Sequence, residues 1–148
     1  MLTAKQDLGR KGEELVAAKC RCARCKRERT LRRLPANFKC ADVICDFCGY
    51  VAQVKTSRVL GVERVPDRIL GAAWSVQKER MEAGIFFPLF LVLVSGRTRA
   101  IYYLSADLQS REIFAPRRPL SANARRAGWR GFVYNLRKVP TGAIVRLL

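Results

Sequence analysis

At 148 residues the chain is long enough to bury a substantial core, because a chain of this size hides roughly 70% of the surface it exposes when unfolded. Its 29 Lys and Arg against 12 Asp and Glu give a formal charge of +17, a field that attracts polyanions such as DNA, RNA or an anionic membrane. No histidine is present, which excludes Ser-His-Asp triads, histidine general bases and histidine-ligated nuclease centres and leaves carboxylates, lysine and metal ions for any hydrolysis.

The N-terminus, Met1-Leu2-Thr3-Ala4-Lys5, has no apolar leader region. The longest apolar run, 85–94, is interrupted by Pro88 and is about half the ~20 residues a membrane helix needs. We therefore expect a cytoplasmic chain with no membrane partner, organised as one domain over residues 1–148. In a reducing compartment, six cysteines in paired spacing point to metal binding before disulfides.

In chain order, Leu8, Leu15, Val16 and Ala18 sit among charges and predict an amphipathic helix over 8–20, with Asp7 as its N-cap. Residues 21–39, dense in Cys and Arg, read as a metal-binding loop with little regular structure. Ala41 to Asp46 and Tyr50 to Thr56 are short and rich in β-branched residues, and predict a hairpin turning at Cys48-Gly49. Residues 57–67 read as a loop. The spacing of Ile69, Leu70, Ala73, Val76, Gln77 and Met81 predicts a second helix over 68–83, closed by Gly84. Phe86 to Ser95 reads as a central strand, Gly96-Arg97-Thr98 as a turn, and Arg99 to Leu104 as a returning strand. The remainder is less regular, with one strand near Gly131 to Leu136. The order predicts an α/β fold with a mixed central sheet flanked by helices.

Cys22-x2-Cys25 is followed, after nineteen intervening residues, by Cys45-x2-Cys48. Two such knuckles supply four thiolates to one closed tetrahedral site, so Cys22, Cys25, Cys45 and Cys48 are expected to hold one structural zinc within 22–48. Cys20 and Cys40 are left as free thiols.

Asp42 opens the first hairpin strand, and Gln53-Val54-Lys55 lies on the second. Alternation along a strand puts Gln53 and Lys55 on one face and Val54 on the other. These residue types suit phosphodiester hydrolysis. Asp42 would hold magnesium or manganese, with the Gln53 side-chain oxygen and the Val54 carbonyl as neutral ligands. Lys55 would stabilise developing charge and orient or help deprotonate the attacking water. Glu13 and Glu14 are the candidates for a second carboxylate. The same residues also fit a solvated polar face beside a zinc knuckle, with the glutamates favoured in place by the helix dipole.

The segment 38–55, FKCADVICDFCGYVAQVK, resembles the catalytic core of the Dam-replacing protein family, methyl-directed restriction endonucleases of the PD-(D/E)XK superfamily. Residues 118–120 (RPL), 124–131 (ARRAGWRG) and Val139-Pro140 extend the resemblance to roughly residues 9–145. It implies a PD-(D/E)XK fold, a structural zinc and magnesium-dependent cleavage of double-stranded DNA at adenine-methylated GATC. By matching position, Asp42 and Lys55 would be catalytic, and Glu13 is the helix carboxylate we select. Gln53 stands where the family carries Glu, one negative charge fewer for the metal. Family members continue into a winged-helix domain; this chain is read as the catalytic domain without one.

Arg117, Arg118, Arg125, Arg126 and Arg130 are the expected DNA contacts, since phosphate contacts supply most nonspecific affinity and arginine suits guanine edges. Trp129, among them, reads as a core anchor. A transient dimer on DNA is expected for double-strand cutting. Three further readings stay open from sequence: a structure-selective or nicking nuclease for repair or phage DNA, a non-cutting zinc-dependent DNA-binding module, and an RNA-binding zinc protein.

Overall fold

The computed structural model describes residues 2–118, 122–123 and 129–148. The chain opens with α1 (Ala4–Lys19). Thr3 caps it, accepting from the Gln6 N–H at 3.2 Å while the Gln6 side chain accepts from the Thr3 N–H at 2.9 Å. This reciprocal box starts the helix four residues earlier than the apolar pattern predicts. Asp7, the expected cap, lies inside the first turn and pairs with Arg10 at 2.7 Å and Lys11 at 3.1 Å.

Six strands form the main sheet in the order β1 (Leu31–Arg33), β2 (Val43–Cys45), β3 (Val51–Arg58), β5 (Leu89–Ser95), β6 (Thr98–Leu104) and β9 (Val145–Arg146). The β3–β5 pairing is parallel and the rest are antiparallel, so the central sheet is mixed as expected. The predicted hairpin is β2–β3, and the two central strands are β5 and β6. β1 lies in the segment read as irregular; it exists because Leu31, Arg32 and Arg33 pair with β2.

A second sheet of three antiparallel strands, β4 (Arg68–Ala73), β8 (Gly131–Asn135) and β7 (Phe114–Pro116), was not predicted as a unit. The expected helix over 68–83 divides in two. Its first half is strand β4, paired with β8 some sixty residues later; its second half is α2 (Trp74–Glu82). Tertiary pairing overrides the local apolar spacing. Gly71 marks the difference: a Cβ there would lie 2.4 Å from the Phe132 ring, so this position serves close sheet packing, which a helix interior would not require. Gly84 does end α2, with φ +74 and the paired bonds Gly84 N–H to Met81 O and Ile85 N–H to Arg80 O, a Schellman closure.

The main sheet is buried on both faces. Alternation along β5 sends Phe90 and Val92 to a core with Val16, Val54 and Ile101 beneath α1. Leu89, Leu91 and Leu93 enter a core with Ile69, Phe114, Phe132 and Tyr134 of the second sheet. The sheet is therefore covered by a helix on one face and by a small sheet with α2 on the other, where sequence spacing predicts helices on both.

Candidate active site and metal centre

The two cysteine knuckles meet. Sγ of Cys22 lies 3.5 Å from Sγ of Cys48, and Sγ of Cys25 lies 3.8 Å from Sγ of Cys45. All four sulfurs are within 4.8 Å of one another. A tetrahedron with metal–sulfur bonds of about 2.3 Å has edges of about 3.8 Å, so the cluster is able to hold a metal ion such as zinc.

The two knuckles are built alike. The residue after each second cysteine, Lys26 (φ +66) and Gly49 (φ +80), takes the left-handed conformation that reverses the chain. Each knuckle closes with a backbone bond, Lys26 N–H to Cys22 O at 3.0 Å and Gly49 N–H to Cys45 O at 2.9 Å. Burial alone would raise the Cys45 thiol, but the Thr30 hydroxyl 3.2 Å away and the N–H groups of Cys48 and Phe47 outweigh it and bring the thiol below its ordinary range. That favours the thiolate, the form that binds metal. Arg27 stacks on Phe47 at 3.7 Å and Arg24 faces Tyr50 at 5.2 Å, so cations pack across the two knuckles. Cys20 and Cys40 lie outside the cluster as free thiols, both raised by burial, Cys20 to about 11.

Asp42 is held on both sides by backbone bonds. Its N–H donates to Ala52 O at 2.9 Å, and its carbonyl accepts from the Leu34 N–H at 2.8 Å. Cys40, at φ +64, turns the chain into this position. The Asp42 carboxylate accepts from the Val54 N–H at 2.7 Å. Because a strand residue's N–H and C=O face the same edge, the Val54 carbonyl also faces the Asp42 side. β2 begins at Val43, opposite Ala52, and because the Asp42 N–H bonds to the carbonyl of that same Ala52, Asp42 sits at the irregular end of the hairpin pairing, next to Gln53 along β3.

Asp42, Gln53 and Lys55 line one cleft of about 300 Å3, together with Phe38 and Cys40 of the preceding loop, Gln77 of α2 and Phe132 of β8. Burial pushes the Asp42 carboxyl up, against the pull of the Val54 N–H and the Lys55 ammonium. Burial pushes Lys55 down, against the pull of Asp42. Burial, and then the Asp42 carboxylate, push Glu13 up, against Arg33 and Lys55. Glu13, Asp42 and Lys55 therefore act on one another electrostatically.

The structure separates the two candidate glutamates. Glu13 is half-buried and pairs with Arg33 of β1 at 3.2 Å, whereas Glu14 is exposed, pairs with Arg10 at 2.6 Å and reaches Arg33 only at 3.9 Å. Gly12 explains how α1 comes so close. A Cβ at that position would lie 1.8 Å from the Thr56 hydroxyl, so the helix rests directly on β3 and carries Glu13 toward the cleft.

Sequence reasoning missed Arg33, Gln77 and Tyr134. Gln77 had a readable signal, an amide at an apolar position of a helical repeat; Tyr134 had none, since its hydroxyl reaches Gln53 across 81 residues. Of the expected DNA contacts, Arg118 and Arg130 are exposed and Arg117 is half-buried. They flank the ends of β7 and β8, where Pro116 pairs with the cleft-lining Phe132. Arg125 and Arg126 lie outside the described residues. Trp129 is half-buried against Gly131, less deeply set than a core anchor.

The chain matches the model of the DpnI Dam-replacing family over residues 3–148, and it belongs to that family. Membership implies a restriction-type nuclease associated with methylated DNA. No curated protein matches the chain. Among the described residues no helix is long and apolar enough to cross a membrane.

Proposed function

We propose that this chain is a divalent-metal-dependent endonuclease of the PD-(D/E)XK type that hydrolyses duplex DNA methylated at adenine in GATC. One observation carries the reading: Asp42 and Lys55 line one cleft, and Glu13 of α1 is near enough to act on both electrostatically, in a chain of charge +17. Two carboxylates raised by burial, one of them further by the other, are relieved by a bound cation. The carboxylates of Asp42 and Glu13 and the carbonyl of Val54 are hard oxygen donors of the kind magnesium and manganese prefer. A cation held there would polarise the scissile phosphate and acidify a bound water.

The remaining steps belong to the chain. Lys55 gives up its proton more readily than a lysine in water, so it can accept a proton from the attacking water as well as face the developing negative charge. Arg33 holds Glu13 in register with Asp42. Arg117, Arg118 and Arg130 engage the DNA backbone beside the cleft, and Arg125 and Arg126 are further contacts to the DNA. Zinc at the four cysteines keeps the loop and hairpin that carry Asp42 in place and takes no part in hydrolysis. Two copies assemble transiently on one duplex to cut both strands; sedimentation with and without the duplex tests this, and a strictly monomeric complex making double-strand breaks counts against it.

The test of the nuclease itself is supercoiled plasmid incubated with Mg2+, with Mn2+ or with EDTA. Cleavage that requires the cation and disappears in Asp42→Ala and Lys55→Ala supports the proposal. Cleavage that survives Asp42→Ala defeats it.

A further inference from the structure

Two polar side chains of the cleft are more than nine-tenths buried: Gln53 is 8% exposed and Gln77 4%. The protein uses neither amide fully. Gln77 carries no side-chain hydrogen bond among the described residues. Gln53 has one, accepted at Oε1 from the Tyr134 hydroxyl at 2.6 Å. Its Nε2 has none, yet it is not enclosed by protein: among the described residues the Thr56 hydroxyl is the one fully buried side-chain polar atom without a partner. The Gln53 N–H donors therefore open onto the cleft.

Tyr134 fixes this direction from behind. It is 1% exposed, and burial holds its phenol far above the ordinary range, so the proton stays on the oxygen. A buried O–H needs an acceptor, and Gln53 Oε1 is its one acceptor among the described residues. Turning the amide over would leave that O–H orphaned. The end of Gln53 that faces the cleft is thus electropositive. It disfavours a cation and suits an oxygen-rich anion.

We infer that Gln53 and Gln77 form a neutral cradle donating hydrogen bonds to the nonbridging oxygens of a substrate phosphate, and that Tyr134 is the positioning residue that turns Gln53 Nε2 toward them. Gln53 then binds substrate and not the metal, unlike the ligand role its place in the motif suggests. The inference rests on the nuclease reading for the identity of the ligand as a nucleic-acid phosphate.

Two readouts without turnover test it: Mn2+ affinity by electron paramagnetic resonance, and affinity for a GATC-methylated duplex in EDTA. Gln53→Met and Gln77→Met should keep wild-type Mn2+ affinity and lose roughly 10-fold in DNA affinity, the lower range for a hydrogen bond to a charged group. Gln53→Glu, which keeps the shape and the Tyr134 bond, should also bind DNA more weakly. Tyr134→Phe should lose less, and adding it to Gln53→Met should cost nothing further, since it acts through Gln53.

A fall in Mn2+ affinity in Gln53→Met as large as that in Asp42→Ala would make Gln53 a metal ligand and overturn the inference. Unchanged DNA affinity in both methionine variants, or equal or tighter DNA binding by Gln53→Glu, would also overturn it. Additive losses in the double variant would reduce Tyr134 to a structural residue. If Asp42→Ala binds Mn2+ as well as wild type, the nuclease reading fails separately, and the EDTA arm still decides on the cradle.

Discussion

The four-cysteine cluster and the cleft lined by Asp42 and Lys55 share the β2–β3 hairpin but are built in different ways. All four clustered cysteines come from residues 22–48, in two knuckles that repeat the same backbone turn. The cleft draws Asp42, Gln53 and Lys55 from the hairpin, Gln77 from α2 and Phe132 from the second sheet, with buried Tyr134 bonded to Gln53 behind it and Glu13 of α1 acting on Asp42 electrostatically. The first is a local device, and the second is a tertiary assembly in which burial opposes the charged forms of Asp42 and Lys55.

The comparison predicts that damage to the two regions separates by readout. Zinc removal or Cys45→Ser should have the largest effect on folding, because structural zinc supplies up to roughly 10–16 kcal/mol in small zinc domains. Circular dichroism should show loss of cooperative melting; a variant that melts like wild type would break the distinction. Asp42→Ala and Lys55→Ala should do the reverse. We expect cleavage to fall roughly 10²–10³-fold or more, the range for losing one preorganised charge-stabilising group, with zinc content and melting temperature maintained.

Gly12→Val tests the link between the regions. Overpacking against Thr56 should cost about 1–3 kcal/mol, and displacing α1 should carry Glu13 away from Asp42. Melting temperature and cleavage should fall together, whereas Glu14→Ala should change neither. The smallest effect concerns pH. Burial raises the folded-state Asp42 carboxyl above its ordinary 3.8, so above that value the native state holds protons the unfolded chain has released, and stability falls as pH rises through the window. Asp42→Asn should therefore raise the melting temperature of the metal-free protein at neutral pH, by roughly 2–4 °C per kcal/mol relieved. Mg2+ should stabilise the wild type and leave Asp42→Asn unmoved.

Legibility followed the same division. CxxC spacing exposes the four clustered cysteines because the constraint is local, and the β2–β3 hairpin and β5–β6 pair are readable from alternation and turn residues. β4 was read as a helix because its apolar spacing fits both periods; its partner β8 lies far along the chain, and only Gly71 hints at the strand. β1 is three residues long and owes its existence to β2. Of the residues proposed to act on substrate, Asp42 and Lys55 are readable from the motif and Glu13 from the resemblance. Tyr134 and Arg33 were not, since both act across contacts that no local pattern encodes.

The most direct test of the central claim uses one plasmid in two preparations, methylated and unmethylated at GATC adenine, incubated with Mg2+ and the zinc-loaded protein. We predict selective cutting of the methylated plasmid, abolished by Asp42→Ala. Failure to cut either plasmid with Mg2+ or Mn2+, with zinc bound and DNA affinity intact, would contradict the account and leave a zinc-dependent DNA-binding module.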